Sequence, residues 1–488
     1  MKFKLKKFGI SAGRPIAFLN ELDARAMDVN VGERLQVSRD GKKIICTLDV
    51  VKDYVGQGEI ILSEDVIKYI NLRKNEPVKV DLVSRPESSK FIAKKMNGKK
   101  LSKDELYSII EDITNNALTE AEIAQFVVGV YRNGMDITET VELTRAMCNT
   151  GTVLKWHSKI VADKHCIGGI PGNRTTPLVV SICAAAGLTM PKTSSRAITS
   201  AAGTADTVET VAKVDFSARD LIKIVKKTGA CLAWGGSLGL APADDKLIKI
   251  ERILKLDPEA QLIASIISKK LSVGSTHVLI DIPFGAGAKV TKVEALELKK
   301  RFIELCKHFN LKIEVILTDG SQPIGKGVGP ALEMIDVIKI LKRENGPKDL
   351  EEKALMISGL ILEMTGKAKK KEGEKMAKEI LDSGKAYHKF EEIINAQGRK
   401  HLGLRLGSHV HTKKAVRAGK IKSMNNKGIN EVALILGCPT DKGTGLYLHK
   451  HVGDKVSKGD EIVTFYAESQ ERLNEAVEAF EKNRYVEY

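Results

Sequence analysis

The sequence predicts an α/β protein with a helical lobe, flanked by a β-rich N-terminal domain and a C-terminal α+β domain. Three observations carry this expectation. Short, partly alternating apolar segments fill residues 1–85. Two Ser/Thr-x-x-Glu boxes, at Ser102 and Thr119, then open stretches of helical periodicity. From Ile160 onward, strand-like runs alternate with helical ones, which implies a sheet covered by helices.

The first domain, 1–85, rests on Glu33-Arg-Leu-Gln-Val, Lys43-Ile-Ile-Cys-Thr-Leu and Val78-Lys-Val-Asp-Leu-Val, punctuated by Gly, Asn and Asp. Arg85-Pro86-Glu-Ser-Ser reads as a linker. The helical lobe spans 95–157, with Thr138 as N-cap of a third helix running to Met147. Beyond it the spacing predicts a helix from Pro177 to Ala186 and strands at His277–Pro283 and Leu311–Leu317. From residue 406 the chain turns β-rich again. Two Gly-Asp turns within Val452–Val463 suggest a compact barrel or sandwich over 406–488.

Composition narrows the class. A chain of 488 residues holds two or three domains, and 43% hydrophobic with 29% charged residues is an ordinary globular balance. No apolar run approaches the ~20 residues that span a bilayer. Met1-Lys-Phe-Lys-Leu-Lys-Lys has no apolar stretch after it, so a signal peptide is not expected and the chain reads as cytoplasmic, with no membrane partner. The seven cysteines (46, 148, 166, 183, 231, 306, 438) include no C-x-x-C pair, which argues against a zinc site or a disulfide framework. His409-Val-His411 and His449-Lys-His451 have strand-face spacing but no nearby Cys or carboxylate cluster, so no metal and no cofactor are expected. The net charge of +16 suits a nucleic acid or a small anion equally, although 5% aromatic residues leave few stacking platforms. The densest basic run, Lys367–Lys375, reads as a solvated helical segment.

Chemistry concentrates in two segments. Asp163-Lys-His-Cys-Ile-Gly-Gly-Ile-Pro-Gly-Asn-Arg-Thr-Thr176 is a strand end, a glycine-rich loop and a helix start, a pattern that turns backbone N–H groups and a helix N-terminus toward an anion, with Lys164 beside them. It is neither a P-loop nor a G-x-G-x-x-G turn. Thr193-Ser-Ser-Arg-Ala-Ile-Thr-Ser-Ala-Ala-Gly-Thr-Ala-Asp-Thr-Val-Glu209 gathers Ser194, Ser195, Thr199, Ser200 and Thr204 around Arg196, donors suited to phosphate or ribose oxygens. Its simpler reading is a loop capping the next helix through Thr204 or Asp206.

Lys164-His-Cys-Ile-Gly-Gly resembles the Lys-His-Ser-Thr-Gly-Gly loop of thymidine and pyrimidine nucleoside phosphorylases. Ser194 to Glu209 is similar to that family's Ser-Gly-Arg…Gly-Gly-Thr-x-Asp-x-x-Glu signature, and Gly151-Thr-Val-Leu, Leu240–Asp244, Ala264–Lys270 and Thr318–Pro323 follow in the family's order. The resemblance covers about 95–488 and favours an enzyme over a nucleic-acid or protein-binding module. It implies the fold of class II nucleoside phosphorylases: residues 243–275 return to the helical lobe, the α/β lobe is 158–242 with 276–405, and the site lies in the cleft between lobes. It also implies that Lys164, Ser194 and Thr204 bind phosphate. Gly168, Gly169, Ser195, Arg196, Ala197, Ile198, Thr199, Ser200, Thr204, Ser265 and Lys269 would then face the nucleoside or nucleotide.

Departures bear on the substrate. Cys166 and Ile167 replace two hydroxyl residues, and Ile250 falls where the pyrimidine enzymes place an arginine for the base. The additional N-terminal domain and the Gly-Ile-Pro-Gly-Asn-Arg loop resemble the archaeal AMP phosphorylases instead, in which Lys289 matches a nucleotide-binding lysine and Asp257 the acid that protonates the departing base. That likeness implies AMP and inorganic phosphate as substrates, with CMP and UMP as further candidates, ribose 1,5-bisphosphate as product, and a homodimer or larger homo-oligomer without nucleic acid. A pyrimidine nucleoside phosphorylase is the alternative. Asp257-Pro258-Glu259 also reads as a helix N-cap followed by proline, so both roles stand open at Asp257.

Overall fold

The structure is a computed structural model that describes residues 1–197, 200–400 and 404–488. The chain divides into two compact units, Met1–Gly151 with Ala241–Ser265, and Thr152–Leu240 with Ile266–Tyr488.

The first unit opens with six strands, β1 (Lys2–Leu5), β2 (Ile16–Asn20), β3 (Arg34–Arg39), β4 (Lys42–Val51), β5 (Glu59–Leu62) and β6 (Pro77–Leu82), with short helices α1 (Glu21–Ala26) and α2 (Glu64–Ile70). They close into a barrel in the order β1-β5-β2-β4-β3-β6. Burial alternates along β1, β3 and β6, so Leu5, Leu35, Val37 and Val80 point inward as the period-2 pattern requires. Closure itself depends on β1 pairing with both β5 and β6, which no local pattern announces.

Helices α3 (Ser88–Met96), α4 (Lys103–Thr114), α5 (Glu120–Asn133) and α6 (Ile137–Asn149) follow, joined by α10 (Pro242–Leu254) and the start of α11 (Glu259–Ser272). The boxes at Ser102 and Thr119 both form. The third differs from expectation: Asp136, not Thr138, caps α6, because its carboxylate accepts from Glu139 N at 2.8 Å while Glu139 reaches back to Asp136 N. The expected linker is also shorter, since α3 begins at Ser88 and Arg85 pairs with Glu122 at 3.0 Å. Ile250 packs in the apolar core of this bundle with Leu247, Ala260 and Ala264. Lys246 Nζ donates to the Ile113 and Thr114 carbonyls at 2.6 and 2.8 Å, and so satisfies the end of α4 from α10.

In the second unit β7 (Ala162–Cys166) lies beside β10 (His277–Phe284), and β10 beside β11 (Lys312–Asp319), all parallel. A parallel pair, β8 (Met190–Ser194) and β9 (Ala230–Trp234), joins through a Val161–Thr189 bridge. Helix α7 (Thr175–Ala185) is buried on every side from Thr175 to Ala184, which is why it lacks a polar stripe. It packs with α8 (Thr204–Val208), α13 (Pro330–Leu341), α14 (Lys348–Met364), α15 (Gly373–Asp382) and α16 (Lys385–Ala396), while α9 (Ala218–Thr228) packs on α16 and β9 and α12 (Lys292–Lys307) on β10 and β11. The Lys367–Lys375 run is not one helix. Lys367 and Ala368 N bond back to Leu362 O and end α14, so most of the run is the turn before α15.

The last segment holds β13 (His409–Lys414), β14 (Gly419–Lys420), β15 (Ser423–Met424), α17 (Asn426–Ile435), β16 (Gly445–Leu448), β17 (Lys455–Val456), β18 (Glu461–Ala467), α18 (Gln470–Asn483) and β19 (Val486–Glu487). Its main sheet runs β12-β16-β18-β13, where β12 (Gly327–Val328) comes from the preceding lobe. The barrel expected over 406–488 is instead an open antiparallel sheet, because Leu473, Ala476 and Phe480 of α18 cover the face that closure would bury. No described helix is long and apolar enough to cross a membrane.

Glu122 fastens the barrel to the bundle, since it takes an ion pair from Arg34 of β3, another from Arg85, and hydrogen bonds from Ser89 and Thr119. Burial alone would raise its carboxyl, but those donors outweigh it and hold the pKa at about 2. A carboxyl depressed on folding stabilises the fold above its unfolded pKa of about 4.3 and loses that contribution as pH falls toward 2. Urea unfolding of wild type and Glu122→Gln should therefore differ at pH 7 and converge by about pH 2. A gap that does not change with pH would contradict the assignment.

Candidate active site

Every segment singled out at a strand end lies at the carboxyl edge of the parallel sheet, where open α/β sheets present their loops to ligands. Lys164–Gly169 leaves β7, Ser194–Thr204 leaves β8, Gly285–Lys289 leaves β10 and Asp319–Pro323 leaves β11.

Neighbouring residues of β7 face opposite ways. Asp163 points to two buried lysines, Lys270 at 2.7 Å and Lys192 at 3.3 Å. Burial opposes its charge, yet Lys192 and Lys270 prevail and keep its pKa below the ordinary value. Lys164 points the other way. It is 1% exposed, and its Nζ donates to the Thr175 hydroxyl, 2.7 Å away, at the first residue of α7. Among the described residues no carboxylate pairs with it. Burial pulls its pKa down, and although Asp281 works against this, Lys353 and Arg174 add to it. Asp281 is itself committed, paired with Lys353 at 2.9 Å and accepting from Thr318 Oγ1 at 2.6 Å.

Arg174, which sequence reasoning passed over, ties the two motifs together. Its Nε donates to Glu333 at 2.6 Å, Nη1 to Thr204 Oγ1 at 2.8 Å and Nη2 to the Ala202 carbonyl at 2.9 Å. Thr204 thereby accepts one bond and keeps its own proton to donate. On the Lys164 side of the strand, Lys164, Lys353 and Arg174 thus stand buried with the carboxylates Asp281 and Glu333. Cations outnumber anions in this described cluster, and the N-terminus of α7 adds partial positive charge. Such an excess of buried positive charge suits an anion.

The second motif is shaped by Asp206, whose Oδ2 accepts from Ala197 N at 2.7 Å and Gly203 N at 3.0 Å. Gly203 has to be glycine, because a Cβ there would stand 2.5 Å from the Ser195 carbonyl oxygen. Arg196 differs from the expected oxygen-binding role. Its guanidinium grips Glu209 at 2.6 and 2.8 Å, reaches Asp206 at 3.2 Å and lies 4.8 Å over the Trp234 ring. Three carboxylates within reach, counting Asp215, compete for that fork. Ser194 is half-buried at the end of β8, Ser195 is exposed, and Ser200 Oγ donates to Ala202 O at 3.1 Å. Ile198 and Thr199 lie outside the described residues.

Gly168 and Gly169 turn with φ of +90° and +92°, and a Cβ on Gly169 would come 3.1 Å from Lys289 N, so the glycine loop meets the exposed Lys289 segment closely. Burial, with Lys270, Lys192 and Lys164, keeps His165 neutral well below the ordinary histidine pKa. Burial likewise pushes the Cys166 thiol up to about 11. Ser265 donates to Asp244 Oδ2 at 2.9 Å within the first unit, and Lys269 follows one turn later on α11. Asp257 is exposed, two residues before α11 begins. Of the histidine pairs, His409 contacts Gln470, His411 packs on Phe465 and His449 on Tyr447, while both ring nitrogens of His451 are buried without a hydrogen-bond partner among the described residues. No group of three or more His, Cys, Asp or Glu among the described residues could hold a metal.

The glycosyl transferase family helical bundle domain matches residues 89–151, the family's a/b domain matches 158–387, and the pyrimidine nucleoside phosphorylase C-terminal domain matches 420–487. An AMP phosphorylase of Thermococcus kodakarensis is 46% identical over 98% of this chain and 96% of its own. AMP phosphorylase 1 of Archaeoglobus fulgidus is 42% identical over 99% and 97%. The chain belongs to the AMP phosphorylase family. A further member, from Natronomonas pharaonis, is 41% identical over 98% and 96%. Among solved structures, an anthranilate phosphoribosyltransferase of Thermus thermophilus superposes with a TM-score of 0.52 at 18% identity, covering 63% of this chain and 98% of its own, a likeness of fold.

If the cation cluster takes the anion, inorganic phosphate should raise the Tm of the wild-type chain, by about 2.7 kcal/mol of stability at a hundredfold excess over Kd. Lys164→Ala and Arg174→Lys should lose most of this protection. Undiminished protection in both would place the anion elsewhere.

Proposed function

We propose that this member of the family catalyses phosphorolysis of AMP to adenine and ribose 1,5-bisphosphate, as a nucleotide pentosyltransferase of the class II nucleoside phosphorylase type. The observation that carries the proposal is the buried Lys164 ammonium at the head of α7, which no carboxylate among the described residues pairs, with Arg174 of the same segment holding Thr204. Relatives over nearly the full length that are named AMP phosphorylases support the substrate. CMP and UMP are secondary substrates on this reading. We place the enzyme in the cytoplasm as a homodimer or larger assembly.

In this mechanism a phosphate oxygen, held by Lys164, Ser194 and Thr204, attacks the anomeric carbon of AMP. The new C–O bond forms as the C–N bond breaks, and the electron pair leaves with adenine. Gly168, Gly169, Lys289, Ser265, Lys269 and the 195–200 segment hold the nucleotide, with Arg196 acting through the loop shape it fixes by gripping Glu209. Asp257 delivers the proton that the departing base requires, because an oxocarbenium-like transition state forms faster when the leaving group is protonated. The chemistry calls for no metal, since ammonium and hydroxyl donors neutralise the phosphate.

The match of 420–487 to a pyrimidine nucleoside phosphorylase domain favours the second reading, a nucleoside enzyme. Against it stand Cys166 and Ile167 in place of hydroxyls, and Ile250 packed in the bundle core. Phosphate-dependent base release measured across AMP, CMP, UMP, adenosine, uridine and thymidine should be fastest with AMP and should survive EDTA. Turnover of thymidine without AMP would overturn the proposal. Lys164→Ala and Ser194→Ala should each lower phosphate use about 10- to 100-fold, the loss of one charge-assisted contact of roughly 1.5–3 kcal/mol.

Asp257→Asn keeps side-chain capping ability, so its thermal stability should stay near wild type while kcat falls roughly 100-fold or more. Near-normal turnover in a folded Asp257→Asn enzyme would leave Asp257 without the acid role.

A further inference from the structure

Two asparagines of α17, Asn426 and Asn430, stand four residues apart and so share one helix face. Both reach out of the C-terminal segment to loops at the carboxyl edge of the sheet. Asn430 Oδ1 accepts from Ala201 N at 3.1 Å, in the loop that runs from Ser194 to Thr204. Asn426 Nδ2 donates to the Gly320 carbonyl at 2.8 Å, in the loop after β11, and its side chain is wholly buried. Its Oδ1 has no donor among the described residues, so of these Gly320 fixes the amide's orientation.

The Asn426 contact leads directly to Lys289. A Cβ on Gly287 would meet Asn426 atoms at 3.6 Å, and one on Gly320 would meet the Ala288 Cβ at 3.1 Å and the Ile170 side chain at 2.8 Å. Ala288 precedes Lys289, whose backbone in turn abuts Gly169. Asn426, Gly320, Gly287–Lys289 and the glycine loop thus form one packed stack, with α17 at its base. On the other loop, Lys442 strengthens the same attachment by pairing with Asp206 at 3.1 Å and Glu209 at 3.0 Å.

We propose that the Asn426–Asn430 face of α17 is a positioning device with two separable outputs: Asn430 sets the Ala201–Thr204 stretch that carries the phosphate-binding Thr204, and Asn426 sets the nucleotide loop that carries Lys289. Neither side chain touches the reacting atoms; each fixes a loop through a backbone group. The inference rests on the reading above that assigns Thr204 to phosphate and the Lys289 loop to nucleotide. The two contacts differ in polarity, Asn430 accepting and Asn426 donating. Aspartate therefore preserves the first contact and destroys the second, where a carboxylate oxygen would face the Gly320 carbonyl.

The test is steady-state kinetics of the full chain with AMP and phosphate varied independently, alongside thermal unfolding of each variant. Asn430→Leu should raise the phosphate KM about 5- to 10-fold and the AMP KM less than twofold, and Asn430→Asp should recover most of that loss. Asn426→Asp should raise the AMP KM about 5- to 10-fold and the phosphate KM less than twofold. If Asn426→Asp does not fold, Asn426→Leu carries the same expected split. Equal shifts in both KM values, or none, would overturn the inference and leave α17 as packing alone. Lys289→Ala separates the two layers of argument. If it raises the AMP KM while neither Asn426 variant does, the device fails and the site assignment stands. If Lys289→Ala leaves the AMP KM unchanged, the nucleotide assignment fails and takes the Asn426 output with it.

Discussion

A buried ammonium that no carboxylate among the described residues pairs is the constraint around which the second unit is built. Lys164 is 1% exposed, bonded to a threonine hydroxyl, at the positive end of a helix that is buried from Thr175 to Ala184. Placing a cation there is unfavourable in the free protein. The surrounding groups ease the strain without cancelling it. Asp281 lies within electrostatic reach but is bound to Lys353 and Thr318, and Glu333 is bound to Arg174 and Thr207. On the reading proposed above, an anion with two charges is the missing partner, and binding it would restore to Lys164 the charge that burial weakens. On that reading, affinity for phosphate and the unfavourable burial of Lys164 are one property.

The second motif depends on the first through Arg174, which belongs to the glycine-rich segment yet holds the Ala202 carbonyl and the Thr204 hydroxyl. Asp206 then closes the loop on itself, and Arg196 anchors it to Glu209. The C-terminal segment completes the support. Its sheet borrows β12 from the α/β lobe, so the two share a hydrogen-bonded ladder rather than a surface contact. That continuity gives α17 a rigid base from which to reach two loops.

Features with a local cause could be read in the sequence. The Ser102 and Thr119 boxes form because each needs only four residues, and β10 and β11 follow from short β-branched runs. Lys164 and the hydroxyl-rich loop were legible because chemistry and glycine spacing coincide there. What escaped was set by distant partners. Asp136 outcompetes Thr138 as a cap because Glu139 lies at the right spacing from it. Arg196 looks like an anion ligand until Glu209, Asp206 and Asp215 are folded around it. Arg174 meets Glu333 across 159 positions of sequence, and Asn426 meets Gly320 across 106. No local pattern encodes such pairs. The same holds for closure of the N-terminal barrel and for α18 turning an expected barrel into a covered sheet.

The central claim is that the cation cluster at the carboxyl edge of the sheet exists to hold phosphate. A crystal structure of the full chain grown with inorganic phosphate tests it most directly. The account predicts a phosphate within hydrogen-bond reach of Lys164 Nζ and the Thr204 hydroxyl, at the N-terminus of α7. Phosphate bound elsewhere, with Lys164 still bonded to Thr175 alone, would contradict it.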